Sequence, residues 1–323
     1  MESVIPYLLQ SSEPSIRFKT RVNILGESPD SASIKKLRKE IRVSPRVMAL
    51  LSEQGRDGRI PFHPYAKFYG AHWVLAALSD LGYPAGDKVL VPLCDQVLEW
   101  LTSQEYETRL IRRRKSGPVR IHGSVDGNAI FSILTLGLDD PRLDTLIGHL
   151  LDNQWPDGGW NCDLKAKGTT SSFDETWLPF RALALHARLT GNNQSRKAVK
   201  KAAEVFLSRR LCWRRSNGRV IRQSYTKLHY PYYWHYSLLS GLRAMADAGF
   251  IRDARCKDAL DLLQSKRLPD GGFPAEHAYY QATTKIVRSG RSLVKWGGVG
   301  SRHLNEWVTA EALAVLKAAG RLS

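Results

Sequence analysis

An all-α fold of stacked helical hairpins is what this sequence predicts, and three observations predict it. The turn Gln154-Trp155-Pro156-Asp157-Gly158-Gly159-Trp160 returns as Leu268-Pro269-Asp270-Gly271-Gly272-Phe273, each copy closing an apolar helical stretch. The chain repeats one grammar: a helix, a Gly-marked stop, a short polar turn, a second helix, then a longer loop. Finally, Ile5-Pro6-Tyr7-Leu8-Leu9-Gln10-Ser11 reads like Leu260-Asp261-Leu262-Leu263-Gln264-Ser265, so the N-terminus resembles the second helix of a late repeat. Self-similarity at a period of tens of residues sets the architecture before any local reading does.

Taken in order, the latch helix covers residues 3–11. The first hairpin, 14–60, pairs Pro14–Leu25 with Ile34–Leu51 across Gly26-Glu27-Ser28-Pro29, and Gly55-Arg56-Asp57-Gly58 ends it. The second pairs Phe68–Leu81 with Leu90–Leu101, and the third pairs Asn128–Leu136 with Leu143–Leu151. The fourth pairs Trp177–Leu189 with Ala198–Leu207, and the fifth pairs Trp234–Ala248 with Ala259–Leu263. Glu306–Ala319 is the first helix of a sixth, whose second helix is supplied by the N-terminus. That makes twelve helices, six inner and six outer, in one domain over residues 1–323. A lone hairpin cannot bury its apolar face, so six close into a circle.

Composition narrows the class. Hydrophobic residues make up 43% and charged residues 24%, ordinary for a globular chain. No run approaches the ~18 apolar residues of a membrane span. The start, Met1-Glu2-Ser3-Val4-Ile5-Pro6, has no signal-peptide pattern, so a cytoplasmic location is expected. Cys94, Cys162, Cys212 and Cys256 form no C-x-x-C pair, which argues against a disulfide framework or a Cys-rich zinc site. The outlier is a formal charge of +17. It gathers in three stretches between repeats: Arg109, Arg112, Arg113, Arg114, Lys115 and Arg120; then Arg209 to Lys227; then Lys285 to Arg302, the last two free of acids. Such clusters attract polyanions or phosphorylated small molecules, or simply form a solvated surface.

The Pro-Asp-Gly-Gly-Trp/Phe turns and Trp-bearing inner helices resemble the prenyltransferase and squalene cyclase repeat superfamily, over Lys67–Ala319 by motif and Met1–Pro61 by grammar only. The resemblance implies an α/α toroid of the α6/α6 type, with the starts of the inner helices around a central cavity. Trp73, Trp177, Trp234 and Trp307 stand at those starts, with His72, Asn128, Glu175, Tyr233, His235 and Asn305 beside them. An aromatic pocket with few polar groups suits an apolar small molecule, and in such a family it holds isoprenoids and stabilises carbocations.

The reactions of that family are not spelled out in the sequence. Protein prenyltransferases hold zinc with Asp-x-Cys and a His. Asp174 matches the Asp, but Thr176 stands in place of the Cys and Asn305 in place of the His, with His303 nearby. Thr and Asn are poor zinc ligands, so neither metal nor other cofactor is expected. Cys162 is placed close to Asp174. Class II cyclases use an Asp-x-Asp-Asp acid, which is missing, and Asp139-Asp140 reads as a turn and helix cap. The remaining acid–base candidates are Asp126, Asp174, Glu306 and His122, the carboxyls as lumen acids. Arg219 and Arg222, leading into the fifth inner helix, are the candidates for meeting a diphosphate.

Two functions follow as expectations. The first is a divergent cyclase- or transferase-like toroid acting on an isoprenoid or similar apolar, phosphorylated molecule. The second is a non-catalytic ligand or nucleic-acid binder using the basic loops with Trp213, Tyr225 and Trp296, or a protein-interaction scaffold.

Overall fold

The structure, a computed structural model, describes residues 4–112, 119–164 and 169–322. Among them are fourteen α-helices: α1 Val4–Leu9, α2 Pro14–Lys19 (continued by a wide turn, Thr20–Ile24), α3 Ala32–Arg42, α4 Pro45–Leu51, α5 Ala71–Leu81, α6 Val91–Leu101, α7 Gln104–Arg112, α8 Gly123–Thr135, α9 Leu143–Asp152, α10 Phe173–Thr190, α11 Asn193–Leu207, α12 Leu238–Asp247, α13 Lys257–Gln264 and α14 Glu306–Ala318. One two-residue parallel strand pair, Gln281–Ala282 with Arg291–Ser292, is the only regular sheet among the described residues.

The inner helices close a ring. α2 packs on α5, α5 on α8, α8 on α10, α10 on α12, α12 on α14, and α14 back on α2. Outside, α3 packs on α2, α6 on α5, α9 on α8, α11 on α10 and α13 on α12. The sixth outer place falls to α1. Val4 lies against the second Asp-Gly-Gly turn, 3.5 Å from where a Cβ on Gly271 would stand, and Ser11 Oγ donates to Glu306 Oε2 at the start of α14. The fold is therefore an α/α toroid, all-α, latched by its N-terminal helix. No helix among the described residues is long and apolar enough to cross a membrane.

The recurring turn is a structural unit present three times. Trp155 N–H donates to Gly159 O, Leu268 N–H to Gly272 O, and Gly55 N–H to Arg59 O. Gly158 at φ 104°, Gly271 at φ 84° and Gly58 at φ 75° occupy the left-handed position that the turn requires. The residue after each Gly-Gly is pinned to the next inner helix: Trp160 N–H donates to Thr176 Oγ1 and Phe273 N–H to Thr309 Oγ1. Thr176, standing in the place of a zinc-ligating Cys, is thus the anchor of a turn, with Thr309 its counterpart two repeats on.

Several expected bounds move, each for a local reason. The helix expected over Ile34–Leu51 divides in two because Pro45 cannot continue it, and Ser44 caps the second piece through Val47 N–H. Inner helix five begins at Leu238, where Ser237 and Ser240 make a reciprocal cap, so Trp234 and His235 precede it. α8 and α10 start earlier than the apolar pattern indicated, which brings Asp126, Asp174 and Glu175 into helical first turns. The first basic stretch is not wholly between repeats, since Arg109 and Arg112 belong to α7. Arg113, Arg114 and Lys115 lie outside the described residues.

The ring is filled. The segment 230–233 runs across its centre, with Tyr230 and Tyr232 buried. Around them sits a balanced set of charges: Lys19, Arg181 and Arg243 against Asp80, Asp247 and Glu311. Lys19 Nζ is 2.8 Å from Glu311 and 3.1 Å from Asp80, Arg181 is 2.7 Å from Asp247, and Arg243 is 3.0 Å from Asp247 and 3.5 Å from Glu311. Tyr230 donates its hydroxyl to Asp80. The pocket at the centre holds about 50 Å³ and is lined in part by Asn128, Phe131, Trp177, Arg181 and Tyr230–Tyr233. Small-molecule sites usually need ~300–1,000 Å³.

Candidate functional site

All the long loops join an outer helix to the start of the next inner helix, so they share one face of the ring. That face carries most of the chain's exposed cations between repeats. Arg214, Arg215, Arg219, Arg222, Lys227, Lys285, Arg288, Lys295 and Arg302 are exposed on it. The positive ends of the inner helices point the same way.

His122, Cys162 and Glu175 converge there. His122 precedes α8, Cys162 follows the first Asp-Gly-Gly turn, and Glu175 lies in the first turn of α10. His122 Nδ1 is 3.2 Å from Glu175 Oε1, and Ser124 N–H donates to Glu175 Oε2 at 3.0 Å. Burial pushes the Glu175 carboxyl upward, but His122, Cys162 and the Ser124 amide outweigh it and hold the group below the usual range. His122 remains about half exposed, with 47% of its side chain accessible, whereas Glu175 keeps 9%. Tyr65 faces the same group. Burial, then the negative charge of Glu175 and Cys162, raises its hydroxyl pKa. Cys162 therefore meets Glu175 and His122, in place of the expected Asp174.

The other sequence candidates disperse. Asp126 is fully buried but turns away from the ring, accepting Tyr106 OH at 2.8 Å and facing His149 of α9 at 3.6 Å. Burial raises its pKa, and it is not among the residues that line the central pocket. Asp174 holds the fifth loop: it accepts from Tyr236 N–H and Tyr225 OH and pairs with Arg222 at 3.4 Å. Burial, against those contacts, raises it as well. Glu306 takes the Ser11 hydroxyl of the latch. The three do not form a set of lumen carboxylates. Asp80, Asp247 and Glu311 take that position, and nothing in their spacing marked them beforehand.

Among the aromatics, Trp177 and Tyr233 border the remaining central space. Trp177 also donates Nε1 to Trp234 O. Tyr233, at φ 49°, stacks on Phe68 at 3.5 Å. Trp73 packs edge-on to both, away from the centre. Trp307 stacks on Tyr230 beneath Arg46. Trp234, His235 and Tyr279 form a half-exposed stack at the mouth, with Lys67 over Trp234 at 5.1 Å. His72 is buried and accepts or donates only to Asn128, and burial lowers its pKa to about 3, as it does for His235. Asn305 is a helix cap, accepting from Trp307 and Val308 N–H. Arg219 is exposed in the fifth loop. Tyr225 and Trp296 are buried and Trp213 is half-buried beside Arg210, which removes the stacking platform expected for nucleic acid. In the third basic stretch Arg291 is buried against Glu53.

No family model and no curated protein matches this chain. Among solved structures, it is similar to a protein from Actinoplanes (17% identity, TM-score 0.45, 95% of this chain and 90% of that one). It is also similar to the type II terpene cyclase MstE from Scytonema (13% identity, TM-score 0.46, 97% and 91%). A glycosyl hydrolase family 88 protein from Bacteroides vulgatus shows 12% identity and a TM-score of 0.47 over 96% and 91%. Cyclases and hydrolases thus stand side by side at similar likeness, and no reaction is carried over from them.

Proposed function

We propose that this protein is an enzyme whose site lies at the mouth of the toroid, where it takes a small molecule bearing a phosphate or diphosphate. His122 and Glu175 form its proton-handling pair. One observation carries this reading: an accessible imidazole is held at 3.2 Å by a buried carboxylate on a face of exposed cations. A carboxylate fixed by a backbone N–H orients its His and stabilises the imidazolium that forms when the ring takes a proton. On the same face Arg222, paired with Asp174, and Lys67, over Trp234, supply cations, and two helix N-termini add to the attraction for an anion. An isoprenoid tail in this reading lies across Trp234, His235 and Tyr279, because the ring centre is occupied.

Thermal shift with pyrophosphate, farnesyl diphosphate and farnesol tests it. The two phosphorylated compounds are expected to raise the melting temperature, farnesol to leave it unchanged, and Arg222→Ala to weaken the effect. A response to farnesol alone, or to none of the three, refutes the reading.

A further inference from the structure

We propose that His122, Cys162 and Glu175 bind one divalent metal ion of the zinc class at this mouth. The inference goes beyond the reading above, since with an ion in place His122 and Glu175 serve as its ligands and no longer as a proton-handling pair, and metal binding is measured separately. One ligand atom from each residue (an imidazole nitrogen, a thiol sulfur and a carboxylate oxygen) lies within 4.8 Å of the other two. Ligands around one zinc ion sit ~2.0–2.3 Å from the metal, so an inward shift of about 1 Å meets that requirement. The combination of sulfur, nitrogen and oxygen donors selects zinc or a similar borderline metal and disfavours magnesium and calcium, which take oxygen donors only.

The surroundings fit an ion. Ser124 N–H fixes Glu175 Oε2, leaving Oε1 directed at His122. Ligands oriented by a backbone donor in this way are typical of metal sites. Burial falls from Glu175 through Cys162 to His122, so the solvent side stays open for a fourth ligand. Three protein ligands with an open position is the catalytic rather than the structural form. Charge also balances. Coordinating a divalent ion, Glu175 binds as carboxylate, His122 as neutral imidazole and Cys162 as thiolate, its thiol proton going to solvent. The two anions then neutralise the dication on a face that is otherwise strongly positive. This is not the site implied by resemblance to the prenyltransferases, because Asp174, Thr176 and Asn305 are each engaged in holding a loop, a turn and a helix cap.

The test uses the full chain stripped with chelator and titrated with Zn²⁺ by calorimetry and with Co²⁺ by absorption. Expected are one ion per chain, one proton released on binding, and a thiolate-to-cobalt charge-transfer band. Cys162→Ser is expected to abolish the band and to weaken Zn²⁺ binding by more than the ~10–100-fold that loss of an outer partner costs. His122→Asn, at an exposed position that the core does not need, is expected to weaken it likewise. Absence of the band in the parent protein, or unchanged Zn²⁺ affinity in Cys162→Ser, overturns the proposal. Binding of Zn²⁺ without any response to pyrophosphate supports the metal site while refuting the phosphate reading. A pyrophosphate response in protein that gives no cobalt band does the reverse.

Discussion

Lys19→Met probes the filled ring most directly. Lys19 reaches Glu311 at 2.8 Å and Asp80 at 3.1 Å, and the side chains of Lys19 and Glu311 keep only 4% and 2% of their exposure. Removing one member of a buried ion pair costs ~3–5 kcal/mol, because the partner is left charged and desolvated. Here the lower end applies, since Glu311 retains Arg243 at 3.5 Å and Asp80 is 31% exposed. About 3 kcal/mol corresponds to a fall of roughly 5 °C in melting temperature for a chain of this size. The loss has a pH signature. Burial alone would raise the Glu311 carboxyl, but Lys19 and Arg243 more than offset it and hold the group well below its ordinary range. A depressed acid contributes stability that is fully present above its unfolded value of ~4.3 and lost as pH falls through the folded value. Without Lys19 that contribution shrinks, so the gap between parent and variant is largest near pH 7 and narrows below about pH 5. Urea denaturation followed by circular dichroism at pH 7 and pH 4 measures both. Lys19→Met/Glu311→Leu, which removes one charge of each sign, is expected to recover part of the loss. A gap under 1 kcal/mol at pH 7, or one that does not change with pH, refutes the assignment of the ring centre to paired charges.

Thr176→Val leaves the buried Trp160 N–H without its acceptor at 3.1 Å and is expected to cost ~1–3 kcal/mol by denaturant titration. Gly127→Ala drives a methyl to 2.4 Å from Pro179 N at the α8–α10 crossing, for a loss of ~1–3 kcal/mol. Asp174→Ala removes the acceptor for Tyr236 N–H and Tyr225 OH, so it is expected to lower stability and to raise protease cleavage within residues 209–236. Burial lowers His149, but Asp126 and Glu107 outweigh it and raise its pKa. Its stabilisation is therefore full below ~6.5 and fades as pH rises through the folded value, and Asp126→Asn is expected to flatten that alkaline decline in melting temperature.

Periodic features were legible in the sequence, and features arising from closure were not. The Asp-Gly-Gly turn, the Gly stops and the likeness of residues 5–11 to 260–265 each depend on local chemistry, and together they specify paired helices in a latched ring. Trp73, Trp234 and Trp307 share a place in the repeat but have different surroundings, because each neighbouring loop differs in length and content. The sequence placed Tyr233 beside the start of an inner helix. In the structure Ser237 caps that helix further on, which frees residues 230–233 to enter the ring. His122, Cys162 and Glu175 are 40 and 13 residues apart, so no spacing motif links them. A signal was available all the same: once Thr176 and Thr309 are aligned as turn anchors, Glu175 falls at the mouth, as does the loop carrying Cys162.

A filled centre changes where chemistry can occur. With three cations and three anions held together and about 50 Å³ left over, opening the lumen for a ligand would require both displacing residues 230–233 and separating desolvated ion pairs. Each broken pair costs several kcal/mol, and an apolar chain offers those charges no replacement partner. The mouth carries no such barrier. Its imidazole, thiol and carboxylate are already adjacent, and its cations are already solvated and available to an anion. Within this toroid the packed ring is therefore the rigid frame, and the proposed chemistry rests on the loops at one end that bring His122, Cys162 and Glu175 together.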